Sequence, residues 1–249
     1  MTQEIYTPGH DPLAVAFMER RTLASHGQFF VEHLKPGDRV LDCACGPGSI
    51  TLGIAEAVKP GPVTGVDFGA SQIERARQAA LERGVSNVTF VEASCYELPF
   101  ESNGFDRIFS HALLEHLSDP GKAVAEFHRV LAPGGVIGLC TPDLGSGVLV
   151  SPPSREMQQA IAAYVDLQRS NGGDLAAGTK LGSYLRAAGF QVTSVSARFD
   201  SPPPHIYGAY LAHQLDNGGR PGPAATFREW SRQPDAFVGV PWVAAIGRK

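Results

Sequence analysis

One stretch early in the chain, Val40-Leu41-Asp42-Cys43-Ala44-Cys45-Gly46-Pro47-Gly48, joins an apolar run to an acid and then to small residues at 44, 46 and 48. Small residues at those places let the backbone turn sharply and let a ligand approach it closely. Asp67 follows about twenty positions on, directly after a second apolar run, Val63 to Val66. An acid at the end of that strand is placed to accept hydrogen bonds from a ribose diol, so the pair predicts a nucleoside-containing ligand.

Two nucleoside cofactors fit so far, NAD and S-adenosylmethionine. A dinucleotide fingerprint counted from Gly46 puts its third glycine at position 51, where the chain has Thr51. Pyrophosphate also requires a helix N-terminus directly behind the loop. A sulfonium makes no such demand, and Asp42 suits a positively charged amino-acid moiety.

The elements that must position these residues alternate. Strands are expected at Arg39–Ala44, Val63–Val66, Val88–Glu92, Phe105–Ser110 and Val136–Cys140. Helices are expected between them, at Ile50–Val58 capped by Ser49, at Ser71–Arg83 with Glu74 at capping-box spacing and Gly84 as its stop, and at Pro120–Leu131. Apolar strands alternating with helices indicate a mostly parallel sheet covered on both faces. A helix over Leu13–Leu34 precedes this core. After Thr141 the rhythm changes to a loop at Leu144–Pro153, helices at Ser154–Arg169 and Thr179–Ala188, and a strand at Phe190–Phe199. Two further helices follow within Ser201–Asp235, and the last strand is Phe237–Gly247. The helical pieces at about 1–35, 144–180 and 201–235 read as a lid over the carboxyl edge of a sheet in one domain, with 36–143 as the cofactor-binding core.

Bulk properties narrow the partners. The chain has 249 residues, a net charge of −4 and no run of Lys or Arg. No basic face is evident for a phosphate backbone, which argues against a nucleic-acid acceptor. No apolar stretch long enough to span a membrane exists, and Met1 to His10 lacks a signal-peptide core, so a cytoplasmic location is expected. Cys43, Cys45, Cys95 and Cys140 form no CxxC pair, so buried thiols and no metal site are expected.

From Val40 to Asp143 the chain resembles the class I S-adenosylmethionine-dependent methyltransferases, in the branch typified by ubiquinone/menaquinone methyltransferases and many natural-product enzymes. Val40 to Gly48 is similar to their first motif, with Ala44 in place of the commonest glycine. Leu98-Pro99-Phe100 with Phe105-Asp106, Leu114-Glu115-His116-Leu117, and Arg129 to Gly135 are similar to later ones. The resemblance implies a Rossmann-like seven-stranded sheet, α/β in class, with an antiparallel last strand. It implies that S-adenosylmethionine is bound and that its methyl group passes to a small molecule.

Carried over by position, Asp67 would hold the ribose hydroxyls and Phe68 would lie along the adenine. Asp42, Ala44, Gly46, Gly48 and Gln72 would line the rest of the cofactor, with Ser94 and Cys95 near the adenine amino group. Ser94 stands where the family usually has an acid; either Ser94 itself accepts the hydrogen bond with weaker cofactor affinity, or Glu92 or Glu97 compensates. Ser110 and His111 would sit beside the sulfur. His116 matches a position used as a base in some relatives, and Asp143 could orient it; His111 is a second candidate for that role. His10 reads as a surface histidine, Arg20, Arg21 and Thr22 resemble a cofactor-adjacent patch, and Tyr6, Tyr164, Tyr207 and Tyr210 fall in the lid. Two other readings stay open: a member that keeps the cofactor but has lost methyl transfer, and a nicotinamide-dependent oxidoreductase.

Overall fold

Val40–Cys43 (β1) is buried at every position, as a strand covered on both faces must be. It is the centre of an eight-stranded sheet in a computed structural model that describes residues 5–9 and 11–249. His10 lies outside the described residues. β1 pairs in parallel with Val63–Asp67 (β2) on one side and Phe105–His111 (β4) on the other, with Val40 opposite both Val63 and Arg107. Val88–Glu92 (β3) extends the sheet beyond β2, and Leu131–Pro142 (β5) extends it beyond β4. Strand order therefore reverses between β1 and β4, where the carboxyl ends of the strands open a crevice.

The final strand is Phe237–Arg248 (β8), antiparallel to β5 on one side and to Gln191–Asp200 (β7) on the other. This is the expected antiparallel insertion. An eighth strand, Leu149–Ser151 (β6), pairs with the start of β8 inside a segment expected to be a loop. Its three residues sit among Gly, Ser and Pro and are too few to show a period of two.

Neighbouring residues of the strands feed different cores. Leu41 and Ile108 pack with Phe127 and Leu185 on one face, against the helices Pro120–Val130 (α5) and Leu181–Ala187 (α7). Val40 and Phe109 pack with Phe30, Ile54 and Ile73 on the other, against Ser49–Val58 (α3) and Ala70–Arg83 (α4). A third core gathers Tyr164, Tyr210, Phe227 and Trp230 from Arg155–Ser170 (α6), Pro204–Asn217 (α8) and Pro221–Trp230 (α9), closing on Val238, Val240 and Trp242 of β8.

Three local expectations are corrected. The single helix over Leu13–Leu34 is three pieces: Pro12–Glu19 (α1), the turn Leu23–His26 (α2) and a 3-10 segment at Gln28–His33. The break is made by Thr22 and Ser25, which cap each other reciprocally and start a new helix. Ser49 does not cap α3, because Gly48 occupies the N-cap in a left-handed conformation. Glu74 forms no capping box, because the N-cap of α4 is Gly69, which has no side chain to offer. Gly84 does close α4 with a left-handed φ of 65°.

Candidate functional site

At the carboxyl ends of β1, β2 and β4 lies a cavity of about 350 Å3. Its floor is the loop after β1, where Ala44, Gly46 and Gly48 alternate in the left-handed region with φ of 64°, 52° and 81°. Ala44 holds a conformation in which its Cβ costs about 1 kcal/mol. Ala44 and Gly46 line the cavity. Gly48 does not; a Cβ there would lie 3.0 Å from Ala76 Cβ and 3.3 Å from the Phe90 ring, so its glycine serves helix–sheet packing.

Asp67 braces that loop. Its Oδ2 accepts the Gly46 N–H at 2.9 Å and its Oδ1 accepts the Gly69 N–H at 2.9 Å. Asp42 is buried beneath the loop, where Thr51 Oγ1 donates to it at 2.6 Å; burial pushes its carboxyl up to about 7. Phe68 is 58% exposed at the rim of the cavity, its ring edge-to-face with Tyr6 at 6.0 Å. Gln72 is fully buried along the same wall, and neither its amide nitrogen nor its oxygen has a partner among the described residues. Unsatisfied amides in such a place call for a ligand group.

Ser94 and Cys95 also line the cavity, and Ser94 Oγ accepts the Tyr96 N–H at 3.2 Å. Glu92 and Glu97 are exposed and do not line it, so neither replaces the missing acid there. His111 lines it, stacked on Trp242 with ring centroids 4.5 Å apart, and burial drives its imidazole well below the ordinary histidine range. Ser110 points elsewhere and does not reach the cavity, since adjacent strand residues face opposite sides.

A second chamber, of about 50 Å3, adjoins the first. Tyr6, Met18, Arg21, Ala112 and His116 line both and form the shared wall. Five aromatic rings line the rest of the second chamber together with aliphatic residues, Glu115 and Asp200: Phe17 stacks on Tyr210 at 4.1 Å, with Tyr164, Tyr207 and Trp242 around them. The Arg21 guanidinium lies 5.6 Å from the Phe17 ring centroid and 5.3 Å from that of Trp242.

His116 is placed between the two chambers, but Asp143 does not orient it. Asp143 instead accepts the N–H groups of Ser146 and Thr179, at 3.0 and 2.6 Å, and so ties together two turns behind the site. The partner of His116 is Gln168 on α6, whose Nε2 lies 2.6 Å from Nδ1. The same Nε2 donates to the Glu115 carbonyl at 3.2 Å, which identifies it as the amide nitrogen and makes Nδ1 the acceptor. The ring proton then sits on Nε2, 3.5 Å from Glu115 Oε1, and burial pushes the imidazole down to about 3. His116 is a neutral ring with no open lone pair. Glu115 is fully buried, accepts from Thr141 Oγ1, and is pushed up to about 7 by burial.

Gln168, Phe17, Met18 and Trp242 escaped the sequence reading. They lie on elements outside the core motifs, and only the acidic and glycine signals of the core have a spacing that announces them. Cys43, Cys45 and Cys140 are buried free thiols and Cys95 is half-buried. No helix among the described residues is long and apolar enough to cross a membrane.

Residues 34–189 match the model of a family described as a methyltransferase domain. The chain belongs to that family. Curated relatives of this methyltransferase-domain chain include an uncharacterised methyltransferase of Schizosaccharomyces pombe, 34% identical over 57% of this chain and 53% of that one. Another is the 2-phytyl-1,4-naphthoquinone methyltransferase of a Nostoc species, 41% identical over 40% of this chain and 44% of that one. The chain spans about half the length of the curated relatives it matches. Among solved structures, the YcgJ protein of Bacillus subtilis is similar with a TM-score of 0.66 at 21% identity, over 89% of this chain and 97% of that one. The cyclase SpnF is similar with a TM-score of 0.58 at 24% identity, over 94% of this chain and 80% of that one. At these identities the structures attest the fold.

Proposed function

We propose that this chain transfers the methyl group of S-adenosylmethionine to an oxygen, nitrogen or carbon of a small, flat acceptor. The observation that carries the reading is the pair of adjoining cavities, one built on a glycine loop with a strand-end carboxylate, the other aromatic. The quinone substrate in the name of the Nostoc relative agrees with a flat acceptor. The same reading makes residues 36–143 the cofactor half and 1–35, 144–180 and 201–235 the cover of one domain.

The residues present fit the cofactor. Asp67 brings a strand-end carboxylate to the cavity for a ribose diol, Phe68 stands at its rim for adenine, and the orphaned Gln72 amide has donor and acceptor to give. Ser94 and Cys95 bound the adenine edge, while Asp42, Ala44, Gly46 and His111 bound the methionine portion. Thr51 stands where a dinucleotide fingerprint needs its third glycine, which weighs against a nicotinamide dinucleotide. When bound, the cofactor supplies a methyl group already activated on a sulfonium. The chain's own work is then to hold the acceptor aligned against the shared wall. His116, with Nδ1 engaged by Gln168, positions rather than abstracts. The group in the acceptor chamber able to take a proton near neutral pH is Glu115.

Calorimetric titration with S-adenosylmethionine, S-adenosylhomocysteine and NAD tests this, in parallel with Asp67→Ala. Binding of both sulfur nucleosides, lost in the variant, is expected. Folded protein that binds neither would overturn the reading, and binding of NAD alone would make the chain a nicotinamide enzyme. Binding without turnover across a panel of phenols, quinols and amines would point to a role other than methyl transfer.

A further inference from the structure

The one guanidinium that lines both chambers has nothing to bond. Arg21 is half-buried, lies in no ion pair, and makes no side-chain hydrogen bond among the described residues. The carboxylates that share the second chamber with it form no ion pair with it: Asp200 faces His26 at 3.7 Å, and Glu115 accepts from Thr141. The two rings flanking Arg21, Phe17 and Trp242, give it cation–π contacts but no hydrogen bond, and both line only the second chamber. A guanidinium presents five donors in a planar fork that matches a carboxylate.

We infer that Arg21 receives a carboxylate of the methyl acceptor, so that the substrate class is a flat, conjugated acid rather than a neutral ring. The inference rests on the methyl-transfer reading above and adds the acceptor's charge to it. The aromatic walls would take the conjugated body, with Phe17, Tyr210 and Trp242 at its faces and edges. The neutral His116 beside it adds no competing cation. Pairing inside this enclosed chamber is worth more than at an open surface, because water screens it less.

A carboxylate could also come from the cofactor's amino-acid tail, and the experiment separates the two sources. Binding is measured by calorimetry with and without S-adenosylhomocysteine, using three matched pairs: benzoate and benzamide, salicylate and salicylamide, cinnamate and cinnamamide. For at least one pair the acid is expected to bind tenfold or more tightly than its amide. Arg21→Met is expected to abolish that preference and Arg21→Lys to keep part of it, with both variants melting near the parent temperature. Equal binding of acid and amide in all three pairs would overturn the inference. So would an Arg21→Met variant that loses affinity for S-adenosylhomocysteine but not for methylthioadenosine, which lacks the amino-acid tail. Failure to bind any sulfur nucleoside, with the acid preference intact, would sink the cofactor reading and leave the anion site standing.

Discussion

The carboxylate of Asp67 holds the backbone amide of Gly46 at 2.9 Å across 21 residues of sequence. One side chain thus links the ends of β1 and β2 and sets the floor of the larger cavity. Asp67→Ala removes two charge-assisted hydrogen bonds to backbone amides, each worth about 1.5–3 kcal/mol, together with the proposed ribose contact. Affinity for S-adenosylhomocysteine is expected to fall at least tenfold by calorimetry. Asp67→Asn, which keeps the shape and one acceptor, is expected to fall less.

His116 is expected to be a neutral imidazole with its proton on Nε2 throughout the range in which the protein is folded. Its suppression to about 3 removes any inflection near 6.5 that an ordinary histidine base would give to kcat/KM. Nitrogen-detected NMR reads the tautomer directly. A proton found on Nδ1 near neutral pH would contradict the arrangement with Gln168. Gln168→Leu is expected to release the ring and to lower kcat more than it raises KM.

Glu115 titrates from about 7 in the folded chain against an ordinary value of 4.5. Between those values the folded state binds more protons than the unfolded one, so this group's contribution to stability falls as pH rises through that window. Above 7 the full penalty is present, on the order of 3 kcal/mol. Glu115→Gln escapes it, so the melting temperature of the variant relative to the parent is expected to climb from pH 5 to pH 8. An offset independent of pH would show that Glu115 is not the titrating group.

Gly48 combines a left-handed backbone with a crowded Cβ site. An alanine there would hold φ at 81° and press its Cβ to 3.0 Å from Ala76 and 3.3 Å from Phe90. Strain and overpacking together are expected to cost about 1–3 kcal/mol, lowering the melting temperature by several degrees. S-adenosylhomocysteine affinity of the folded fraction is expected to change little, since Gly48 does not line the cavity.

What the sequence disclosed follows from the range over which its signals act. Val40 to Gly48 and Asp67 could be read because a strand, a tight turn and the next strand end leave their marks within thirty residues. Asp143, after the fifth strand, is a candidate to orient His116, yet its carboxylate accepts from the N–H groups of two nearby turns. Gln168 took its place from 52 residues away, on a helix whose polar pattern singles out no one amide. The meeting of Arg21 with Trp242 is beyond any local pattern, since the first comes from the loop after α1 and the second from β8. The break at Thr22 was legible: Thr22 and Ser25 stand at capping spacing, a signal that the apolar spacing of Leu13–Leu34 overrode.

β8 gives residues to every core: Val243 and Ala245 to one face of the sheet, Ile246 to the other, and Val238, Val240, Trp242 and Ala244 to the core beneath the aromatic chamber. Loss of that strand would open all three cores at once. Heating should therefore give one endotherm in scanning calorimetry, with calorimetric and van't Hoff enthalpies in agreement. Ligands bound in either chamber should raise the same transition, so that thermal shift reports acceptor and cofactor on a single scale.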